Sequence, residues 1–159
     1  MTKQILLCDD EIAILRAAEF KLKGAGLKVR CASNGEDAWR EIERCLPDLV
    51  VTDLQMPLLD GFGLCRRIRG SPLTRHLPII MLTAKGFELS PAESTEKYGL
   101  FKLMVKPFSP RELLRTVEQG LQQTDSDAGG RGHASLAPVS EHPLSAEDAA
   151  SAPPRRRRL

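Results

Sequence analysis

Leu49-Val50-Val51-Thr52-Asp53-Leu54-Gln55-Met56-Pro57-Leu58-Leu59-Asp60-Gly61 is the stretch that decides the fold. An apolar run leads to one carboxylate, Asp53, and is stopped by Pro57 and the turn pair Asp60-Gly61. A short continuous apolar run is the pattern of a strand buried on both faces, and proline cannot donate to a sheet ladder, so the strand must end near Asp53. Asp53 is therefore expected at the carboxyl edge of a parallel sheet, the edge where open α/β folds bind ligands.

Four further strands are expected on either side of it. Ile5 to Cys8 runs into Asp9-Asp10-Glu11, and Leu27, Val29 and Cys31 alternate with Lys28 and Arg30 as a half-exposed edge strand does. Ile79 to Leu82 leads to Thr83, and Leu103 to Val105 leads to Lys106-Pro107. Helical spacing fills the gaps. Leu15, Ala18 and Leu22 share a face that closes at Gly24 and Gly26, and Asn34 caps a helix burying Ala38, Ile42 and Cys45. Leu64 and Ile68 mark a third helix ending at Gly70 and Pro72.

Ser90-Pro91-Ala92-Glu93 is a capping box that starts a short helix ending before Gly99, with Ala92 and Tyr98 as its inward candidates. So short a helix is expected to be mobile, after a long loop over 84–89. A second box, Ser109-Pro110-Arg111-Glu112, with a staple between Phe108 and Leu113, starts a last helix whose buried stripe is Leu114, Val117 and Leu121. Strands alternating with helices five times predict an α/β fold, a doubly wound five-stranded parallel sheet with helices on both faces.

Length and composition bound the rest. The chain has 159 residues, and from Thr124 onward Ala, Ser, Gly and Pro make up 19 of 36 with no aromatic, too little apolar surface to offset ordering entropy. The expected division is a folded domain over 1–123 and a disordered tail over 124–159 that ends in Arg155 to Arg158. Residues 1–123 carry 18 basic and 16 acidic side chains, which excludes a basic nucleic-acid surface on charge alone. The terminal arginines are the one candidate contact with nucleic acid or an acidic partner. Cys8, Cys31, Cys45 and Cys65 lie in apolar segments without a CxxC pair, and neither a signal peptide nor a membrane-length apolar run is visible. Reduced core thiols in a cytoplasmic protein with no membrane partner are expected. His76, His133 and His142 show no zinc spacing, and Trp39 reads as a partly exposed packing residue.

In a parallel sheet the ends of these strands fall on one edge, so Asp9, Asp10, Asp53, Thr83 and Lys106 converge there. Bringing three carboxylates together costs on the order of a few kcal/mol per close pair at an effective dielectric near 20, so a cation is called for. Mg2+ fits, with Asp10 and Asp53 as direct ligands, Asp9 acting through water and the Gln55 carbonyl completing the protein set. Lys106 supplies a fixed positive charge for phosphoryl oxygens, Thr83 a hydroxyl donor, and Asp53 a nucleophile that can become an aspartyl-phosphate. Glu11 reads as a first-turn helix acid. The Gln55 side chain and Lys85 flank the site where they could govern access to the phosphoryl group.

With Asp9-Asp10, Asp53 within DLQMPLLDG, Thr83-Ala84 and Lys106-Pro107-Phe108 in this order, the chain resembles the response regulator receiver domains of two-component signalling over about residues 3–123. The resemblance implies a flavodoxin-like three-layer sandwich with strand order 2-1-3-4-5 and a cis bond between Lys106 and Pro107. It also implies phosphoryl transfer from a sensor histidine kinase to Asp53, slow self-dephosphorylation in place of true enzyme turnover, and a downstream protein partner near the fourth helix, fifth strand and fifth helix. Two positions depart from the family pattern. Leu103 stands where an aromatic switch is usual, and Gly99-Leu100-Phe101-Lys102 replaces the usual glycine-alanine-aspartate run. The signal is therefore expected to leave through 84–102 by a change in order and not by an aromatic flip.

The expectation is a stand-alone receiver with no fused output domain. A phosphorelay shuttle to a histidine phosphotransfer protein and a phosphate-independent binding scaffold are the rivals, with a small-molecule phosphatase behind them.

Overall fold

The computed structural model describes residues 2–84 and 90–131. The order is β1 (Gln4–Cys8), α1 (Ile12–Gly24), β2 (Lys28–Ala32), α2 (Gly35–Arg44), β3 (Leu49–Asp53), α3 (Gly61–Gly70), β4 (Ile79–Thr83), α4 (Pro91–Tyr98), β5 (Lys102–Val105) and α5 (Pro110–Arg131). The strands form one sheet, β2-β1-β3-β4-β5, with every pair parallel. Fold class and strand order are as the sequence and its resemblance led one to expect.

Side-chain alternation divides the core. Leu6, Cys8, Val50, Ile79 and Met81 point into a layer with Ala38, Ile42, Leu64 and Ile68 of α2 and α3. Ile5, Leu7, Leu49, Val51, Ile80 and Leu82 point the other way, onto Ala18 and Leu22 of α1 and Leu113, Val117 and Leu121 of α5. Burial on both faces is why β3 and β4 read as unbroken apolar runs. Gly120 lets α5 lie close to β3, since a Cβ there would stand 2.7 Å from Leu49 Cδ1.

Every helix but α1 starts on a side-chain cap. Asn34 accepts from the Asp37 amide and Ser90 from the Glu93 amide, as the sequence indicates, and Asp60 also caps α3 by accepting from the Gly63 amide at 2.7 Å. Arg69 at the end of α3 fastens the neighbouring turns. Its guanidinium donates to the carbonyls of Tyr98, Arg75, Leu77 and Gly99. Beside it the Phe62 and Tyr98 rings stack at 4.3 Å, joining α3 to α4.

Four expectations need correction. The last helix does not give way at Thr124 but runs to Arg131, and Lys3 holds the added length through a 2.8 Å ion pair with Asp125. Composition misled because contacts with residues far off in the same chain can hold a helix whose own residues favour no structure. Cys45 is not a core residue: α2 ends at Arg44, leaving Cys45 extended and exposed, while Cys8 and Cys65 are buried and Cys31 half-buried. On α4 the residue that turns inward with Tyr98 is Ser94, and Ala92 is exposed. Strand β5 begins one residue early, at Lys102. The 85–89 loop with Lys85, the tail beyond Arg131 with His133 and His142, and Arg155 to Arg158 lie outside the described residues. Among the described residues no helix is long and apolar enough to cross a membrane.

Candidate phosphoacceptor site

Sheet register sets the site. Cys8 pairs with Thr52 and Asp53 with Leu82, so Asp9, Asp53 and Thr83 leave adjacent strands at nearly one level. Backbone bonds continue the ladder past the strand ends: the Asp9 amide donates to Ala32, the Leu54 amide to Leu82 and the Lys106 amide to Thr83. The Lys106–Pro107 bond is cis.

Lys106 is the centre of the cluster. Its Nζ lies 3.0 Å from Asp9 Oδ2, 3.1 Å from Glu11 Oε1 and 3.3 Å from Asp53 Oδ1. Asp9 and Asp53 are buried, at 2% and 6% exposure, which keeps their charges from being screened by water. Asp9 Oδ1 accepts the Glu11 amide and Asp53 Oδ1 accepts the Leu54 amide. That leaves Asp53 Oδ2 without a hydrogen bond from the described residues. Asp9 Oδ2 is buried and ion-paired to Lys106, yet the angle denies it a hydrogen bond.

Burial and the nearby Asp9 charge push the Asp53 carboxyl up to about 6, against the opposing pull of Lys106 and the Leu54 amide. Burial also holds Asp9 above the ordinary carboxylate range, although the Glu11 amide and Lys106 draw it down. For Lys106, burial works against the charge, but the Asp9 and Glu11 carboxylates close to its ammonium and the Asp53 charge outweigh it and raise its pKa.

The loop after Asp53 is held by close backbone packing. A Cβ on Gly61 would come within 2.5 Å of the Asp53 carbonyl oxygen, and one on Gly35 within 2.1 Å of the Leu59 carbonyl oxygen. Leu58 takes the left-handed conformation, φ 69°, with its side chain 79% exposed. Gln55 is exposed beside Asp10 along an open cleft that also includes Asp60 and Phe62.

Of the residues singled out in the sequence, Asp9, Asp53 and Lys106 are in direct contact. Asp10 is exposed but belongs to the group, since one carboxylate oxygen from each of Asp9, Asp10 and Asp53 lies within 4.8 Å of the others. Thr83 is buried, and its hydroxyl donates to the Ala84 carbonyl at 3.4 Å. Glu11 differs from its reading as a helix acid: it is the N-cap of α1, and its carboxylate goes to Lys106. Only the position next to Asp10 in sequence could have hinted at this.

The donor set suits a hard divalent cation. Asp9, Asp10 and Asp53 bring three carboxylates together, the buried Asp9 Oδ2 lacks a hydrogen bond, and all these donors are oxygens. Next to the site a crevice of about 600 Å³ runs between α1 and the segment after β5, lined chiefly by Ala13, Ala17, Pro107 and Phe108, with Glu11 and Lys106 among its walls.

Known proteins share this fold. The family model described as the response regulator receiver domain matches residues 5–118. The alkaline phosphatase synthesis transcriptional regulatory protein PhoP of Bacillus subtilis is 39% identical over 125 residues, which are 79% of this chain and 51% of that protein. The chain thus spans about half the length of the curated relatives it matches. A response regulator receiver domain protein of Clostridium thermocellum superposes with a TM-score of 0.70 at 30% identity, over 78% of this chain and 98% of that one. The chemotaxis response regulator CheY4 of Vibrio cholerae gives 0.68 at 29%, over 75% and 98%.

Proposed function

This chain belongs to the response regulator receiver domain family, and on that premise we propose that Asp53 accepts a phosphoryl group from a sensor histidine kinase in a Mg2+-dependent reaction that switches a partner-binding face. The observation that carries this reading is the contact of Lys106 with both buried acids, at 3.0 Å from Asp9 and 3.3 Å from Asp53. An ammonium so placed serves a nucleophile and a phosphoryl oxygen in turn.

Asp10, Asp53 and the Gln55 carbonyl would hold Mg2+, with Asp9 reaching it through water; the ion supplies positive charge against the phosphoryl oxygens. Asp53 Oδ1 is already engaged by the Leu54 amide and Lys106, so Oδ2 is the attacking oxygen. Its bond to phosphorus forms as the P–N bond to the donor imidazole breaks and the electron pair leaves on that nitrogen. Lys106 swings from Asp53 to a phosphoryl oxygen. The Thr83 hydroxyl, weakly held at 3.4 Å, turns to another. The crevice beside α1 offers a protein donor an apolar surface. Loss of the phosphoryl group by hydrolysis is slow, so the protein acts as a switch and not as an enzyme with turnover.

Output goes to a protein partner through the region of α4, β5 and α5. Leu103 is half-buried against the α3–α4 side of the core, which supports a read-out through 84–102 by a change in order. Amide exchange across 84 and 90–102 that stays the same on phosphorylation would refute that part. The same Leu103 favours the phosphate-independent scaffold as second reading. Intact-mass measurement after acetyl phosphate and Mg2+ decides between them: wild type should gain one phosphoryl group and Asp53→Asn none. A wild type that gains none leaves the scaffold.

A further inference from the structure

We propose that Glu11 sets how readily the site accepts free anionic phosphodonors, by standing at its mouth as a competing counter-charge on Lys106. The inference rests on the phosphoacceptor reading above and goes beyond it in assigning donor selectivity to one residue.

The first observation is a cap that does not cap. An N-cap is best filled by Ser, Thr, Asp or Asn, whose short side chain accepts a second- or third-residue amide. Glu11 occupies the α1 N-cap with extended backbone, φ −84° and ψ 103°, and makes no side-chain cap bond. The first turn of α1 has no acid either. The Glu11 carboxylate turns instead to Lys106 Nζ, with which it forms a 3.1 Å hydrogen bond.

The second observation is how Lys106 is shared. An ammonium has three N–H donors, and three carboxylates lie at 3.0, 3.1 and 3.3 Å. The side chains of Asp9 and Asp53 are 3% and 8% exposed, whereas that of Glu11 is 60% exposed. Glu11 is therefore the partner of Lys106 that an approaching anion meets, and the one that water can take up without stranding a buried charge.

A phosphoryl group must gain Lys106 from one of these carboxylates. With Glu11 in place, a free dianion meets an exposed negative charge in front of the ammonium it needs, which lowers its local concentration. A donor held by protein contacts in the crevice is brought in by those contacts and is less affected. Glu11 is thus a specificity-determining residue for the donor, not a nucleophile or an acid.

The test compares two small donors on wild type and Glu11→Gln in saturating Mg2+, followed by intact mass. Acetyl phosphate is a dianion near neutral pH; phosphoramidate, with its protonated nitrogen, is one charge less negative. In each case the Asp53 oxygen bonds to phosphorus while acetate or ammonia leaves with the electron pair. Glu11→Gln should speed acetyl phosphate by about threefold to tenfold and phosphoramidate by less than about twofold. A binding measurement without turnover accompanies it: in metal-free protein, inorganic phosphate titrated against the Thr83 and Lys106 amide shifts should bind Glu11→Gln more tightly. Equal acceleration of both donors, equal slowing of both, or no change would each overturn the inference while leaving Asp53 phosphorylation intact. A wild type that takes phosphate from neither donor would overturn the phosphoacceptor reading, and this inference with it.

Discussion

Replacing Asp53 by asparagine should make the fold more stable at neutral pH, even though it removes the proposed nucleophile. A carboxyl raised to about 6 in the fold from the ordinary 3.8 is ionised at pH 7.5 at a cost of up to about 3 kcal/mol. Asparagine keeps an oxygen for the Leu54 amide, carries no charge against Asp9 and leaves Lys106 to Asp9 and Glu11. Allowing for relaxation among coupled charges, a gain of about 1–3 kcal/mol is expected at pH 7.5. The sign with pH follows from proton counting. Between about 4 and 6 the folded state keeps a proton that the unfolded chain has lost, so wild-type stability falls as pH rises through that window. The asparagine advantage is then full above about pH 6, declines as pH falls through that window and is gone below about pH 4. Urea unfolding of both proteins in metal-free buffer at pH 4, 5, 6 and 7.5 measures it. An advantage that is absent at pH 7.5, or constant across the series, would refute the reasoning.

Three further outcomes test the geometry. Gly61→Ala places a Cβ within 2.5 Å of the Asp53 carbonyl oxygen and 2.9 Å of Leu54 Cα, both backbone atoms; a loss of about 1–3 kcal/mol by urea unfolding is expected, with slower phosphorylation by intact mass. Leu58→Gly relieves the φ of 69° at a side chain that is 79% exposed, and the urea midpoint should move up by the equivalent of about 0.5–1 kcal/mol. Mg2+ at ten times its Kd should stabilise wild type by about 1.4 kcal/mol in a thermal scan. Asp10→Asn should remove most of that gain while leaving the metal-free midpoint within about 0.5 kcal/mol, since Asp10 is exposed.

What the chain spells out locally, it determined alone. Apolar runs of β1, β3 and β4 and the caps at Asn34, Ser90 and Ser109 announce the alternation of strand and helix, because burial and capping depend on residues close in sequence. Once all strands run parallel, the residues after them must share one edge, so Asp9, Asp10, Asp53, Thr83 and Lys106 were legible as a group. Tertiary structure decided the rest. That Lys106 divides itself among Asp9, Glu11 and Asp53 depends on register across the sheet and the path of α1. Ser94 turns inward in place of Ala92 because α4 packs on α3, through the Phe62–Tyr98 stack and Arg69. Helix α5 continues to Arg131, past the end its composition suggests, with Lys3 paired to Asp125. Each of these joins residues distant in the chain, whose separation and angle no local pattern encodes.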